Sequence, residues 1–186
     1  MSAFDRAVTD RVVAGRTELG ETIAHAITVT GNTVVLTVAV VAVTVFLLVR
    51  RAYPEAVLVS VGSLLGLFLM VGLKNIFGRS RPPVHDRLID IDTYSFPSGH
   101  AMMSMIVFGL FAVAAYRLSN WVRGHPWVLA IAPLWSIAIG CTRVYLGVHW
   151  TTDVLAGWIV GALWVAVCAA VLARVAPLSK PSSLVE

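Results

Sequence analysis

Charged residues divide the chain into five long uncharged stretches, 22–49, 56–73, 93–116, 124–142 and 154–173, of 28, 18, 24, 19 and 20 residues. A helix crosses a bilayer core of about 30 Å with roughly 20 mostly apolar residues, and about 17–25 suffice. Each stretch is long enough, and the longest must run beyond the core. Inside hydrocarbon every backbone N–H and C=O needs an internal partner, which only helices and closed barrels supply. The alternating segments of about ten residues that mark a barrel are missing. The pattern predicts an all-α, polytopic helical membrane protein of about five spans, near 31–49, 55–77, 98–116, 126–142 and 150–173.

The polar intervals fit that reading. Arg50-Arg51 and Tyr53-Pro54 predict a tight connection, with Pro54 in the first turn of the second span. Residues 78–97 carry three prolines and read as a loop, 117–125 as a basic loop, and 143–149 as the lead into the last span. Pro133 predicts a kink in the fourth span. At the start, Phe4, Val8, Val12 and Leu19 alternate with Asp5, Arg6, Asp10, Arg11 and Arg16. This amphipathic pattern predicts that 1–21 forms a helix lying at the membrane interface. It lacks the ordered basic and apolar regions of a signal peptide. Residues 175–186 read as a short cytoplasmic tail. With no repeat and no linker, 1–186 is expected to be one membrane domain.

Composition agrees. The chain is 58% hydrophobic and only 13% charged, where a soluble domain carries about 25% charged residues. A soluble globule, a nucleic-acid module and a disordered segment are thereby excluded. The net charge of +4 does not point to nucleic acid, because the basic residues sit at the ends of apolar stretches, where they set orientation and meet lipid phosphates. Cys141 and Cys168 read as small apolar residues rather than a disulfide. Trp121, Trp127 and Trp150 fall where membrane interfaces are expected. One end of the predicted bundle carries Arg50, Arg51, Arg117, Arg123, Arg174 and Lys180; the other carries Lys74, Arg79, Arg81, Arg87 and Arg143 besides the N-terminal segment. If the second group has a chemical task, the positive-inside rule puts the first in the cytoplasm. The N-terminus is then outside and the C-terminus inside, as expected for a bacterial cell membrane with the site on its extracytoplasmic face.

Three polar clusters share that second end: Lys74, Arg79, Arg81 and Pro82; Pro97-Ser98-Gly99-His100; and Arg143, His149 and Asp153. Ionisable groups at bilayer helix ends are costly unless paired or hydrated, and their convergence suggests an anion site. Lys74, Arg81 and Arg143 could surround a phosphate. Ser98 and the Gly99 amide would open a helix whose free N–H groups attract anions. His149 and Asp153, four residues apart, would share a helix face, the carboxylate fixing the imidazole tautomer. His100 supplies a second imidazole, so that one could attack and the other donate a proton. Arg79 reads equally as an interface cation. Arg87, Asp86, Asp90, Asp92 and His85 read as a solvated loop, and Tyr94 and Phe96 as residues that position it or the substrate.

These residues resemble the signatures of the type 2 phosphatidic acid phosphatase (PAP2) superfamily: K-x6-R-P as Lys74 to Arg81-Pro82, P-S-G-H as Pro97 to His100, and S-R-x5-H-x3-D as Thr142-Arg143 to His149 and Asp153. Thr142 stands where the family usually has Ser. Many bacterial membrane members have six spans; here the N-terminal segment stands where the first would be. The resemblance implies that Lys74, Arg81, Arg143, Ser98 and Gly99 bind phosphate oxygens and that His149 becomes a phosphohistidine. Asp153 would orient His149, and His100 would protonate the leaving oxygen and then activate water, with no metal or other cofactor. The implied partners are the membrane and a lipid phosphate substrate: polyprenyl pyrophosphate, phosphatidylglycerol phosphate or phosphatidic acid. Alternatives are a lipid phosphotransferase using the same phosphohistidine, a transporter of anionic lipid head groups, and a haloperoxidase or soluble acid phosphatase with the same site.

Overall fold

The computed structural model describes residues 2–177. Nearly all of the expected tail, Lys180 included, lies outside the described residues. Among these residues eight α-helices follow one another: α1 (Ala3–Ala14), α2 (Glu18–Val29), α3 (Thr33–Val49), α4 (Tyr53–Phe77), α5 (Gly99–Leu118), α6 (Asn120–Gly124), α7 (Ile131–Tyr145) and α8 (Thr151–Val175). Short 3₁₀ turns occupy Val84–Asp86 and Pro126–Ala130. Among the described residues, five stretches are long and apolar enough to cross a membrane: Glu18–Val49, Tyr53–Phe77, Gly99–Leu118, Pro126–Tyr145 and Thr151–Val175. The all-α, five-span architecture is thus as expected.

Helix α5 lies at the centre, packed against α3, α4, α7 and α8. Its Met102, Ile106 and Leu110 are fully buried with Val59 of α4, and the same cluster takes in Leu47 of α3 and Leu172 of α8. The α5–α8 crossing is close because α8 presents Gly157 and Gly161 to it. A Cβ on either would fall 2.9 Å from the carbonyl oxygen of Ser98 or Met102. Small residues four apart let membrane helices meet backbone to backbone. The opposite face of α8 is an exposed apolar stripe, Leu155, Ile159, Leu163, Val167 and Val171, which suits contact with lipid. Several polar side chains inside the bundle are hydrogen-bonded to one another or to backbone carbonyls. Ser104 meets Ser136 at 2.7 Å, and the indoles of Trp158 and Trp164 donate to the carbonyls of Ser136 and Gly62. At the end away from the three clusters, Arg117 donates to Glu55 at 2.8 Å and to the Ala176 carbonyl at 2.6 Å, tying α5 to α4 and the end of α8.

Three local expectations are corrected. The first span is two helices, α2 and α3, interrupted at residues 30–32. Asn32 caps α3 by accepting the Val34 N–H, and a side chain at buried Gly31 would run into Ile139, beside the His100 ring. Pro133 falls in the first turn of α7, just after the 3₁₀ turn, where its missing N–H breaks no mid-helix bond. Helix α1 turns a polar face inward: Asp5 and Thr9 are buried while Phe4 is exposed. Leu19, grouped by pattern with this segment, belongs to α2.

Candidate active site

Four helix ends converge. Helix α4 stops at Gly78, which adopts a left-handed φ of 53° and leaves Lys74 in the last turn. The loop that follows closes on itself through Ser95 N–H to the Arg79 carbonyl, 2.8 Å, before Ser98 starts α5. Helix α7 carries Arg143 in its last turn. The chain then turns through Gly147, whose φ of 70° and close approach to the Asp86 carbonyl exclude a side chain, and presents His149. Helix α8 begins at Thr151. Asp153 caps it by accepting the Trp150 N–H at 3.0 Å, and the Asp153 carbonyl accepts the Ser98 N–H at 3.0 Å, fastening α8 to the start of α5.

His149 and Asp153 are paired, but not across a helix face. His149 precedes α8, and the cap of that helix folds the Asp153 carboxylate back until Oδ2 lies 3.5 Å from His149 Nδ1. On the ring's other side, Arg81 Nη1 lies 3.1 Å from Nε2. A guanidinium only donates, so Nε2 presents its lone pair and the proton sits on Nδ1, facing Asp153. Burial pushes the imidazole down to about 3. Its bond to Asp153 opposes that shift, whereas the nearby cations Arg81, Arg143 and Lys74 add to it. The ring is therefore neutral at physiological pH.

Arg81 is held on all sides. It donates from Nε to the Thr93 carbonyl (2.6 Å), from Nη1 to the Val148 carbonyl (2.6 Å), and from Nη2 to the Thr93 hydroxyl (2.9 Å) and Tyr94 carbonyl (3.2 Å). Burial, then Arg87, lower it to about 10, with Asp153 opposing, so it stays charged at neutral pH. Lys74 Nζ donates to the Tyr94 carbonyl at 2.5 Å. Its side chain passes the α5 terminus, 3.8 Å from where a Cβ of Gly99 would be. Arg143 is buried and anchored through Nη1 to Thr28 of α2 at 2.7 Å. Arg143 Nε and the buried Ser98 hydroxyl are without hydrogen-bond partners. The Thr142 hydroxyl turns back to the Ile139 carbonyl inside α7.

Lys74, Arg81, Gly99, His100, Arg143 and His149 all line one cavity of about 940 Å³. From this cationic end the cavity continues between α3 and α4 as a cleft lined by Leu36, Val40, Val41, Leu64, Leu67 and Met70, among others. The structure thus brings together the residues singled out from the sequence. It also adds several. Ser95 donates to Asp153 Oδ2 at 2.5 Å. Arg79 is no interface cation: it donates to Asp153 Oδ1 at 2.5 Å and to Asp5 at 2.7 Å. Asp5 is buried, which raises its pKa, but the Thr152 N–H, Arg79 and the Thr152 and Ser2 hydroxyls outweigh that and hold it below the usual carboxylate value. Trp150 is buried, its indole donating to the Ser80 carbonyl at 2.9 Å, instead of lying in an interfacial belt. Arg79 had one signal in the sequence, its place two residues before Arg81. Asp5, far away in the chain, had none.

Comparison with known proteins agrees with this geometry. Residues 55–176 match the family model of the PAP2 superfamily. The chain is 37% identical over 92 residues to phosphatidylglycerophosphatase B of Bacillus subtilis, a match covering 49% of this chain and 45% of that protein. It is 27% identical over 93 residues to undecaprenyl-diphosphatase of Sulfolobus acidocaldarius, covering 50% of this chain and 40% of that one. The chain thus spans less than half the length of either relative. Its fold is similar to the crystal structure of a transmembrane PAP2-type phosphatidylglycerolphosphate phosphatase from Bacillus subtilis, with a TM-score of 0.86, 26% identity, and coverage of 92% of this chain and 85% of that one. The matched region holds all three motifs and the helices that bring them together, and on those grounds the chain belongs to the PAP2 superfamily.

Proposed function

We propose that this chain hydrolyses a phosphomonoester or pyrophosphate on a lipid through a phosphohistidine at His149. One observation carries the reading: the buried His149, its Nε2 accepting from Arg81, lines a cationic cavity that opens into an apolar cleft. The lipid chain occupies the cleft between α3 and α4 while the head group enters among Lys74, Arg81 and Arg143. Since the Arg81 N–H groups already have acceptors, the phosphate takes over the His149 and Tyr94 contacts, and that exchange uncovers Nε2. The Ser98 hydroxyl, Arg143 Nε and the first N–H groups of α5 complete the cradle.

Nε2 attacks the terminal phosphorus, a P–N bond forms, and the P–O bond to the leaving oxygen breaks, releasing the lipid alcohol from a monoester or the lipid monophosphate from a pyrophosphate. His100, entering this step as the imidazolium beside the bound phosphate anion, delivers its proton to the departing oxygen and is left neutral. The positive charge on the His149 ring is balanced by Asp153 across Nδ1. In the second half, His100 takes a proton from water, the hydroxide attacks phosphorus, the P–N bond breaks and phosphate leaves. Three fixed cations stabilise the charge on the equatorial oxygens, so the reading requires no metal. The same reading places this end of the bundle on the extracytoplasmic face of a cell membrane, because the opposite end carries Arg50, Arg51, Arg117, Arg123 and Arg174.

The test is phosphate release in detergent from polyprenyl pyrophosphate, phosphatidylglycerol phosphate and phosphatidic acid. The native protein releases phosphate from at least one, is inhibited by vanadate and is indifferent to chelator. His149→Ala loses roughly 10⁴-fold or more. Release that survives in His149→Ala, or that needs added Mg²⁺, overturns the mechanism.

A further inference from the structure

A buried chain of charges runs from the N-terminal helix to the imidazole. Asp5 of α1 is fully buried, yet it lies in a segment outside the candidate membrane spans and 148 positions before Asp153. Its Oδ1 accepts the Thr152 N–H at 3.0 Å, and its Oδ2 accepts the Thr152 hydroxyl at 2.8 Å and Arg79 Nη2 at 2.7 Å. Arg79 Nη1 reaches the Thr152 hydroxyl at 2.7 Å and Asp153 Oδ1 at 2.5 Å. Asp153 Oδ2 faces His149 Nδ1. The connection that follows α1 is anchored too: Arg16 donates to the Tyr145 carbonyl at 2.9 Å and the Asp86 carbonyl at 2.8 Å.

We infer that Asp5 and Arg79 are positioning residues of the phosphoryl-transfer site, acting on His149 through Asp153. The inference rests on the phosphatase reading above. Two physical effects follow from the geometry. First, Arg79 is one cation shared between two carboxylates. If Asp5 is neutral, Arg79 acts on Asp153 alone, and the carboxylate becomes a weaker acceptor for the imidazole proton as positive charge develops on the ring. Second, Asp5 is an anion placed from another helix against the first turn of α8, where it satisfies a free N–H next to Asp153. Without it, the residue that orients the nucleophile is less well fixed. Neither residue needs to touch the phosphate, so substrate binding should be spared.

Steady-state kinetics on the full chain in detergent, with vanadate inhibition measured alongside, provide the test. Asp5→Asn lowers kcat by about 10- to 100-fold, as slight misplacement of a reacting group does, while KM and the vanadate inhibition constant stay within about twofold. Arg79→Lys, which keeps the charge but loses one arm, lowers kcat at unchanged KM. The double variant loses little more than Arg79→Lys alone, because both act along one path. Asp10→Asn, exposed on the same helix, keeps native kinetics. If Asp5→Asn reduces the yield of folded protein, Arg79→Lys carries the test by itself through the same split between kcat and KM. Native kcat in these variants, equal losses in kcat and vanadate binding, or strictly additive losses overturn the inference while His149→Ala remains inactive. Activity retained by His149→Ala, or missing from the native protein, overturns the phosphatase reading and this inference with it.

Discussion

His149 has its two nitrogens assigned by different neighbours. Arg81 can only donate, so Nε2 accepts, and the proton is left on Nδ1 for Asp153. Its value near 3, against an ordinary 6.5, has a consequence for stability. Between about pH 6.5 and 3 the unfolded chain binds a proton that the folded protein refuses, so stability falls as pH drops through that window. Thermal unfolding in detergent should therefore lose more between pH 7.5 and 5 in the native protein than in His149→Gln; equal losses would refute the buried neutral imidazole. Asp5 acts in the same direction only at lower pH. Held below 3.8, it contributes stability above that value which disappears as pH falls through its folded pKa. Ser95, which the motifs do not mark, holds Asp153 Oδ2. Ser95→Ala is expected to lower kcat by about tenfold with KM little changed, and an unaltered kcat would show that Asp153 is fixed without it.

At the level of helices, the site is assembled by ends rather than faces. The C-terminal turns of α4 and α7 and the N-terminal turns of α5 and α8 supply Lys74, Arg143, His100 and Asp153, and the segments joined to them supply Arg81 and His149. Their mutual height depends on how far α8 slides against α5, and Gly157 sets that contact against the Ser98 carbonyl. Gly157→Leu should destabilise the protein by about 1–3 kcal/mol through overpacking and reduce activity with it, because the displaced carbonyl belongs to the residue that opens α5. Ile159→Leu, on the exposed stripe two positions away, is the control and should leave both unchanged. Comparable melting temperatures for the two variants would refute the close crossing. The break at residues 30–32 has a related role: buried Gly31 lets the chain pass beside Ile139 and His100 where a side chain would collide with Ile139.

For the molecule as a whole, the cationic end and the cleft between α3 and α4 form one cavity, so that on the proposed reading different residues hold the phosphate and the chain attached to it. Leu67→Trp, placed in the cleft and away from the motif residues, should raise KM for a long-chain lipid phosphate by roughly tenfold, the low end of the effect of misfit in an apolar pocket. Hydrolysis of a short water-soluble phosphate ester should be untouched. Equal loss on both substrates would mean that the cleft does not hold the lipid.

Span number, the helical class and the three motifs were readable along the chain because each depends on local order: the length of an apolar run between charges, or the spacing of residues within about a dozen positions. Lys74 and Arg81, Ser98 and Gly99, and His149 and Asp153 are all of this kind. Relations between distant stretches were not readable. Pattern alone assigned Asp5 to the polar face of an interfacial helix and Trp150 to an aromatic belt, and left Arg79 open between the anion site and a membrane surface. Tertiary packing buries Asp5 and Trp150 and draws Arg79 in to bridge Asp5 and Asp153, because a carboxylate enclosed beside a helix start requires a cation and donors, which here come from other helices and loops. The helical geometry assumed for His149 and Asp153 failed for the same reason. Four residues of separation are compatible with a helix face or a helix cap, and only the contacts from Ser95, Arg79 and Arg81 select the cap.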